Sequence, residues 1–129
     1  MIAGLAFIRP PLDFREAAVY IAEALHCLTR LYDSLLSDED QVSLSLMLTG
    51  TQDRLLASTW PTTLPLWGDH VSRIPTIVAA RTYPLADWRA GMIEHAVEIA
   101  NEIYLRFNWP NPNLGAARTA IEKTFSRTW

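Results

Sequence analysis

The hydrophobic repeat changes period near residue 40, and that change constrains the fold more than any other feature of the chain. Before it, Phe14, Ala17, Ala18, Ile21, Ala24, Leu25, Leu28, Tyr32 and Leu35 recur at helical spacing, and Leu31 widens the stripe by one position. After "SDEDQ" (37–41), Val42, Leu44, Leu46 and Leu48 alternate with Ser43, Ser45 and Thr49. Alternation sends successive side chains to opposite faces, as a half-buried strand requires. Met47 interrupts the pattern. A flat β layer must therefore lie beside long rods, and an all-helical architecture is excluded.

Local signals place the remaining elements. Asp13 is an N-cap with Glu16 three residues later, as in a capping box, and Leu12 can staple onto the first turn. A helix over 14–36 follows, with Glu16, Glu23, Arg30 and Asp33 on its polar side. Ahead of it, "IAGLAFI" (2–8) reads as a short buried strand stopped by Pro10 and Pro11. "GTQD" (50–53) is a turn, and "RLLAS" (54–58) is the return strand of a hairpin begun at Val42. Residues 59–73 carry Pro61, Pro65 and Gly68 and read as a loop, with Trp60 and Trp67 folded back onto the body. "TIVAAR" (76–81) is a further strand.

A second long helix starts at Pro84 or Leu85 and runs to about Phe107. Leu85, Trp88, Met92, Ala96, Ile99 and Ile103 form one stripe, flanked by Ile93, Val97, Ala100 and Tyr104. This apolar surface is broad enough to touch both the sheet and a neighbouring helix. "RFNWPNPN" (106–113) follows. Asn108 suits the left-handed residue that ends a helix, Trp109 packs back over the last turn, and Pro110 forbids continuation. Asn111 then caps a final helix with Pro112 at its first position, carried by Leu114, Ala117, Ile121 and Phe125 and extended by Trp129. No task is assigned to Arg106 or Asn113. The competing reading is a surface loop in which Trp109 and Asn111 bind a partner.

Together these elements give an α+β fold over a single domain, 1–129, in the order β-α-β-β-β-α-α. An antiparallel sheet of about four strands is packed on one face by two long helices, with a third, C-terminal helix beside them. Half of the 129 residues are hydrophobic, and 19% are charged, as in a folded domain. The formal net charge is −3 and the basic residues do not cluster, which argues against nucleic acid as a partner. The basic side is ten Arg to one Lys, a bias expected of a GC-rich bacterial genome. One cysteine permits no internal disulfide and fits a reduced cytosol. No stretch approaches the roughly 20 apolar residues of a membrane span, so a cytoplasmic location is expected.

Few residues carry recognisable chemistry. Arg89 and His95, in "RAGMIEH", resemble the Arg-x(4–6)-His motif of HEPN-type ribonucleases. That resemblance implies His95 as general base and Arg89 as stabiliser of phosphate charge. Six positions along a helix, however, leave two side chains about 120° apart, and HEPN domains are all-helical. Glu94, Glu98 and Glu102 recur every four residues, either as a cation or basic-partner site or as a solvated face. His26 and His70 lack metal-ligand spacing, and no metal or cofactor is expected. Cys27 follows His26 too closely on a helix for a catalytic pair, and reads as a small buried hydrophobe. No Walker A, G-x-G-x-x-G or G-x-S-x-G pattern is present.

The succession of "RPPLDFREA" (9–17), "VSLSLMLTGTQDRLLAS" (42–58) and a helix ending in "FNWP" (107–110) resembles the region that follows the AlbA/Schlafen-type ATPase domain of bacterial regulators. The resemblance implies a non-catalytic accessory or dimerising module and carries over no catalytic residue. The expectation is thus a non-enzymatic interaction, sensing or oligomerisation module of a cytoplasmic bacterial system. It would act through an apolar surface bearing Trp60, Trp67, Trp109 and Asn111, on a second copy or another protein. The alternatives are a HEPN-like ribonuclease using Arg89 and His95, and a small-ligand pocket between sheet and helices.

Overall fold

A computed structural model describes residues 12–57 and 70–127. The expected strand 2–8, the tryptophans Trp60 and Trp67, and Trp129 lie outside the described residues. The fold is α+β, as the change of period requires. In chain order the elements are β1 (Leu12–Asp13), α1 (Phe14–Tyr32), β2 (Gln41–Thr49), β3 (Leu55–Ala57), β4 (His70–Val71), β5 (Thr76–Pro84), α2 (Leu85–Ala90), α3 (Met92–Arg106) and α4 (Leu114–Phe125).

Asp13 starts α1 as its composition dictates. Its carboxylate accepts from the main-chain N–H of Arg15 (2.7 Å) and Glu16 (3.1 Å), two of the donors that a helix start leaves unpaired. The apolar stripe then buries Phe14, Ala17, Ala18, Ile21, Leu25 and Leu28. The helix ends earlier than residue 36. Leu35 N–H and Leu36 N–H both turn back to the carbonyl of Tyr32, which carries Leu35 out of the stripe and into solvent.

Three helices share the core. α1 packs chiefly on α4 and α3, and α3 packs on α4. The last helix is therefore integral to the core, with Ala117, Ala120, Ile121 and Thr124 buried. Small alanines on facing sides let α1 and α4 approach closely, and the large rings of Phe14, Trp88, Tyr104 and Phe107 fill the remaining space. The buried Tyr104 hydroxyl donates to the Phe14 carbonyl. Burial, with a smaller contribution from Asp13, holds its pKa well above that of an ordinary tyrosine.

The strands form two small sheets instead of one of four strands. β2 pairs antiparallel with β5 over its whole length, from Gln41 opposite Pro84 to Thr49 opposite Thr76. The expected hairpin between residues 42 and 58 does not form. Gly50 (φ 66°) and Asp53 (φ 60°) adopt left-handed conformations that lead the chain away from β2. β3 then joins β1 in parallel and β4 antiparallel. Met47 loses its anomaly in this register: it occupies the outer face opposite Val78, while Leu44, Leu46 and Leu48 face the helices.

The second long helix is divided at Gly91, whose φ of −124° and ψ of 32° fall outside the helical region. Glycine is the weakest helix former apart from proline, and here it leaves room for a ring. A Cβ at this position would lie 3.3 Å from His95 Nε2.

Candidate interaction surface

The residues first considered for chemistry have structural partners. Arg89, at the end of α2, donates to the carboxylates of Asp33 (2.7 Å) and Asp38 (2.5 Å), so it pins the chain that leaves α1. His95, on α3, stacks on Tyr83 with ring centroids 4.3 Å apart, and its Nε2 lies 3.1 Å from the Asp87 carbonyl. The two side chains share no hydrogen-bonding partner among the described residues. Two of the three glutamates in the acidic row on α3 are answered by arginines. Glu94 pairs with Arg118 and Glu102 with Arg81, each at 2.7 Å. The Arg118 guanidinium holds the Glu94 carboxyl below the ordinary carboxylate range. Among the described residues no group of His, Cys, Asp and Glu could hold a metal ion. Cys27, expected to be buried, is exposed.

The stretch 106–113 closes the fold. Asn108 takes the left-handed conformation (φ 61°) that its position required. Its side-chain amide donates to the Val71 carbonyl (2.7 Å), and its own carbonyl lies 3.1 Å from His70 Nδ1. Trp109 is only 7% exposed, and its ring meets Phe14, Tyr104 and His70. It belongs to the core. The cap of α4 is Asn113, whose side chain accepts from Ala116 N–H (3.1 Å). Asn111, expected to be that cap, is exposed and lies outside the helix. Two residues separate it from the first helical position, Leu114, so its side chain is not in the N-cap place.

Two recesses are of interest. One, of about 410 Å³, is polar and is lined by Thr29, Arg30, Asp33, Ser34, Arg89 and Met92. Its two arginines, Arg30 and Arg89, are balanced in charge by Asp33 and Asp38, both paired with Arg89, which leaves little net field to draw an anionic ligand. The other, of about 250 Å³, is apolar. It runs between α1 and β2, over Ala17, Ile21, Leu46 and Leu48, with Ile103 of α3 as a wall. Tyr20 and Met47 stand at its rim, 62% and 64% exposed. Sequence periodicity overlooked Tyr20 because that residue lies off the α1 stripe.

β2 borders this groove with an edge that no other described strand pairs. Leu85 N–H donates to the Asp40 carbonyl in register with the ladder. Even-numbered residues of β2 therefore exchange hydrogen bonds with β5, and the main-chain groups of Gln41, Ser43, Ser45, Met47 and Thr49 face the other way. Those groups have no main-chain partner among the described residues. β2 contains neither a charged residue nor a proline, the usual devices that discourage edge pairing. The far edge of the ribbon has both. Arg81 Nη1 covers the outward Ala80 carbonyl at 2.8 Å, Arg81 is tied to Glu102, and Pro84 has no N–H to offer.

Comparison with known proteins yields no matching family model, no matching curated protein and no matching solved structure. Among the described residues no helix is long and apolar enough to cross a membrane.

Proposed function

We propose that the chain is a non-enzymatic interaction module, and that its working surface is the edge of β2 left unpaired among the described residues, with the apolar groove beneath it. One observation carries the reading. A nine-residue strand without charge or proline leaves its main-chain donors and acceptors facing outward beside an apolar recess. An extended segment laid there gains main-chain hydrogen bonds from the edge and side-chain burial from the groove, the two components of recognition by strand addition. Of the tryptophans first considered, Trp109 is core, and Trp60 and Trp67 lie outside the described residues.

Native mass spectrometry of freshly purified protein tests the reading. The wild type is expected to carry a bound polypeptide, its own copy or another. Tyr20→Asp, which places a charge at the rim, is expected to lose it while keeping the wild-type circular dichroism. A wild type found only as a bare single chain would remove the reading.

A further inference from the structure

We infer that the resting occupant of the β2 edge is the chain's own segment 2–8, laid parallel to β2, and that a partner strand takes the seat by displacing it. The inference rests on the reading of the β2 edge as a seat for an added strand and supplies its regulation. Residues 2–8 lie outside the described ones. The described strands direct the chain that precedes β1 to this edge.

The stretches of chain that form β2 and β5 stay side by side beyond their ladder. Past the bend, Thr51 N–H donates to the Pro75 carbonyl (3.2 Å), Asp53 N–H to that of Ser72 (2.7 Å) and Ser72 N–H to that of Arg54 (3.1 Å). The same two stretches then continue as the pair β3 and β4. One margin of this bent ribbon is thus formed by β4 and β5 throughout. β1 lies on the opposite margin, beside β3 and parallel to it, with Leu12 opposite Leu56 and Asp13 opposite Ala57. Since β3 continues β2, the chain upstream of β1 arrives along the unpaired edge of β2 and in the same direction. Leu12 marks the arrival, because it lines the apolar groove together with Leu46, Met47 and Leu48. Residues 58–69, also outside the described ones, join β3 to β4 at the end of the ribbon remote from β2.

The sequence of the segment suits the seat. Ile2 to Ile8 include neither a charged residue nor a proline. A nearly continuous apolar run is the composition of parallel strands. Seven residues extend about 23 Å, within the roughly 30 Å that the nine residues of β2 present. The segment's main-chain groups would meet the outward donors and acceptors of β2, and the groove would take its apolar side chains. Arg9, Pro10 and Pro11 span roughly 9 Å to Leu12 in an extended proline-rich form. The two prolines lack N–H groups and end the ladder before β1 begins. So short a tether keeps the segment at high effective concentration. An external strand gains the edge only in molecules whose segment has left it, and its apparent affinity falls by that fraction.

Cross-linking and peptide binding test the placement. In a Cys27→Ser background, Ala3→Cys and Ser43→Cys are expected to be joined within one chain by a short bis-maleimide, whose reach tolerates a shift of a residue or two. Ala3→Cys and Thr49→Cys should not be joined, because six residues of strand add roughly 20 Å. An antiparallel segment would reverse the two results. A fluorescent peptide of residues 1–11 then reports access in the full chain. Leu5→Asp adds a charge to the apolar segment and should bind the peptide at least about tenfold more tightly than the wild type does. The cross-links decide the placement even where Leu5→Asp fails to fold. A link to Thr49 in place of Ser43, links only between two chains, no link to either, or equal peptide binding by wild type and Leu5→Asp would overturn the inference. The interaction reading would then stand or fall separately, on the native mass of the wild type. An intrachain link to Ser43 in a protein whose wild type carries no polypeptide would remove the interaction reading and leave the segment in its seat.

Discussion

Replacing Trp109 with alanine decides whether "RFNWPNPN" closes the fold or recognises a partner. The Trp109 ring lies 5.3 Å from Phe14, 5.2 Å from Tyr104 and 5.4 Å from His70. It ties the start of α1, the end of α3 and β4 at a single place. Deleting a buried aromatic of this size removes its transfer free energy and leaves a cavity that rigid neighbours cannot fill, a cost of about 3–5 kcal/mol. A domain of this size has about 5–15 kcal/mol in total, so the variant should lose a large fraction of its stability. At this chain length the melting temperature should fall by about 10–20 °C. Urea titration followed by circular dichroism at helix wavelengths gives the value without relying on the fluorescence of the residue removed. Trp109→Phe, which keeps a ring against Phe14, should lose distinctly less. A change in stability below about 0.5 kcal/mol, the usual effect of a surface substitution, would refute the assignment to the core.

Four further outcomes follow from the geometry. Asp13→Ala removes the acceptor for two main-chain donors and should cost about 1–2 kcal/mol in urea titration. Asn108→Val puts a β-branched residue at φ 61° and breaks the bond to Val71, so it should destabilise more than Asn108→Gly, which loses only the bond. Tyr104 has a folded pKa raised above its ordinary value of 10, so its contribution is intact below pH 10 and is lost as pH rises further; Tyr104→Phe should flatten that alkaline loss in a stability–pH profile. Glu94 has a lowered pKa, so its contribution is present above the ordinary value of 4.5 and is lost as pH falls through the lowered folded value; Arg118→Gln should remove that acid dependence.

Local chemistry was legible in the sequence, and pairing between distant segments was not. Asp13 as a cap, Asn108 as a left-handed terminator and the α1 stripe each depend on neighbours within a few residues, and each is found in the structure. The partner of β2 is a long-range choice. Gly50 marked a turn, but nothing local specified whether the chain would return at residue 54 or at residue 76. The break at Gly91 was hidden because the apolar stripe stays nearly in phase across it, and the weak helix propensity of glycine carried the only hint. The proposed surface was legible only in part. Alternation around Leu46 revealed a half-buried strand, whereas which edge stays open depends on Arg81 and Pro84, more than thirty positions away in sequence. Asn113 was missed as a cap because Pro112 was placed inside the helix, when it precedes the cap.

The asymmetry of the β2–β5 ribbon also sets how far strand addition can go. Growth by edges runs on without limit when both margins accept a neighbour, which is the route to fibres. Among the described residues Arg81 and Pro84 guard the far margin of this ribbon, so on the proposed reading β2 is its receptive side. On that reading, the guanidinium on the Ala80 carbonyl disfavours growth from the second margin of the ribbon.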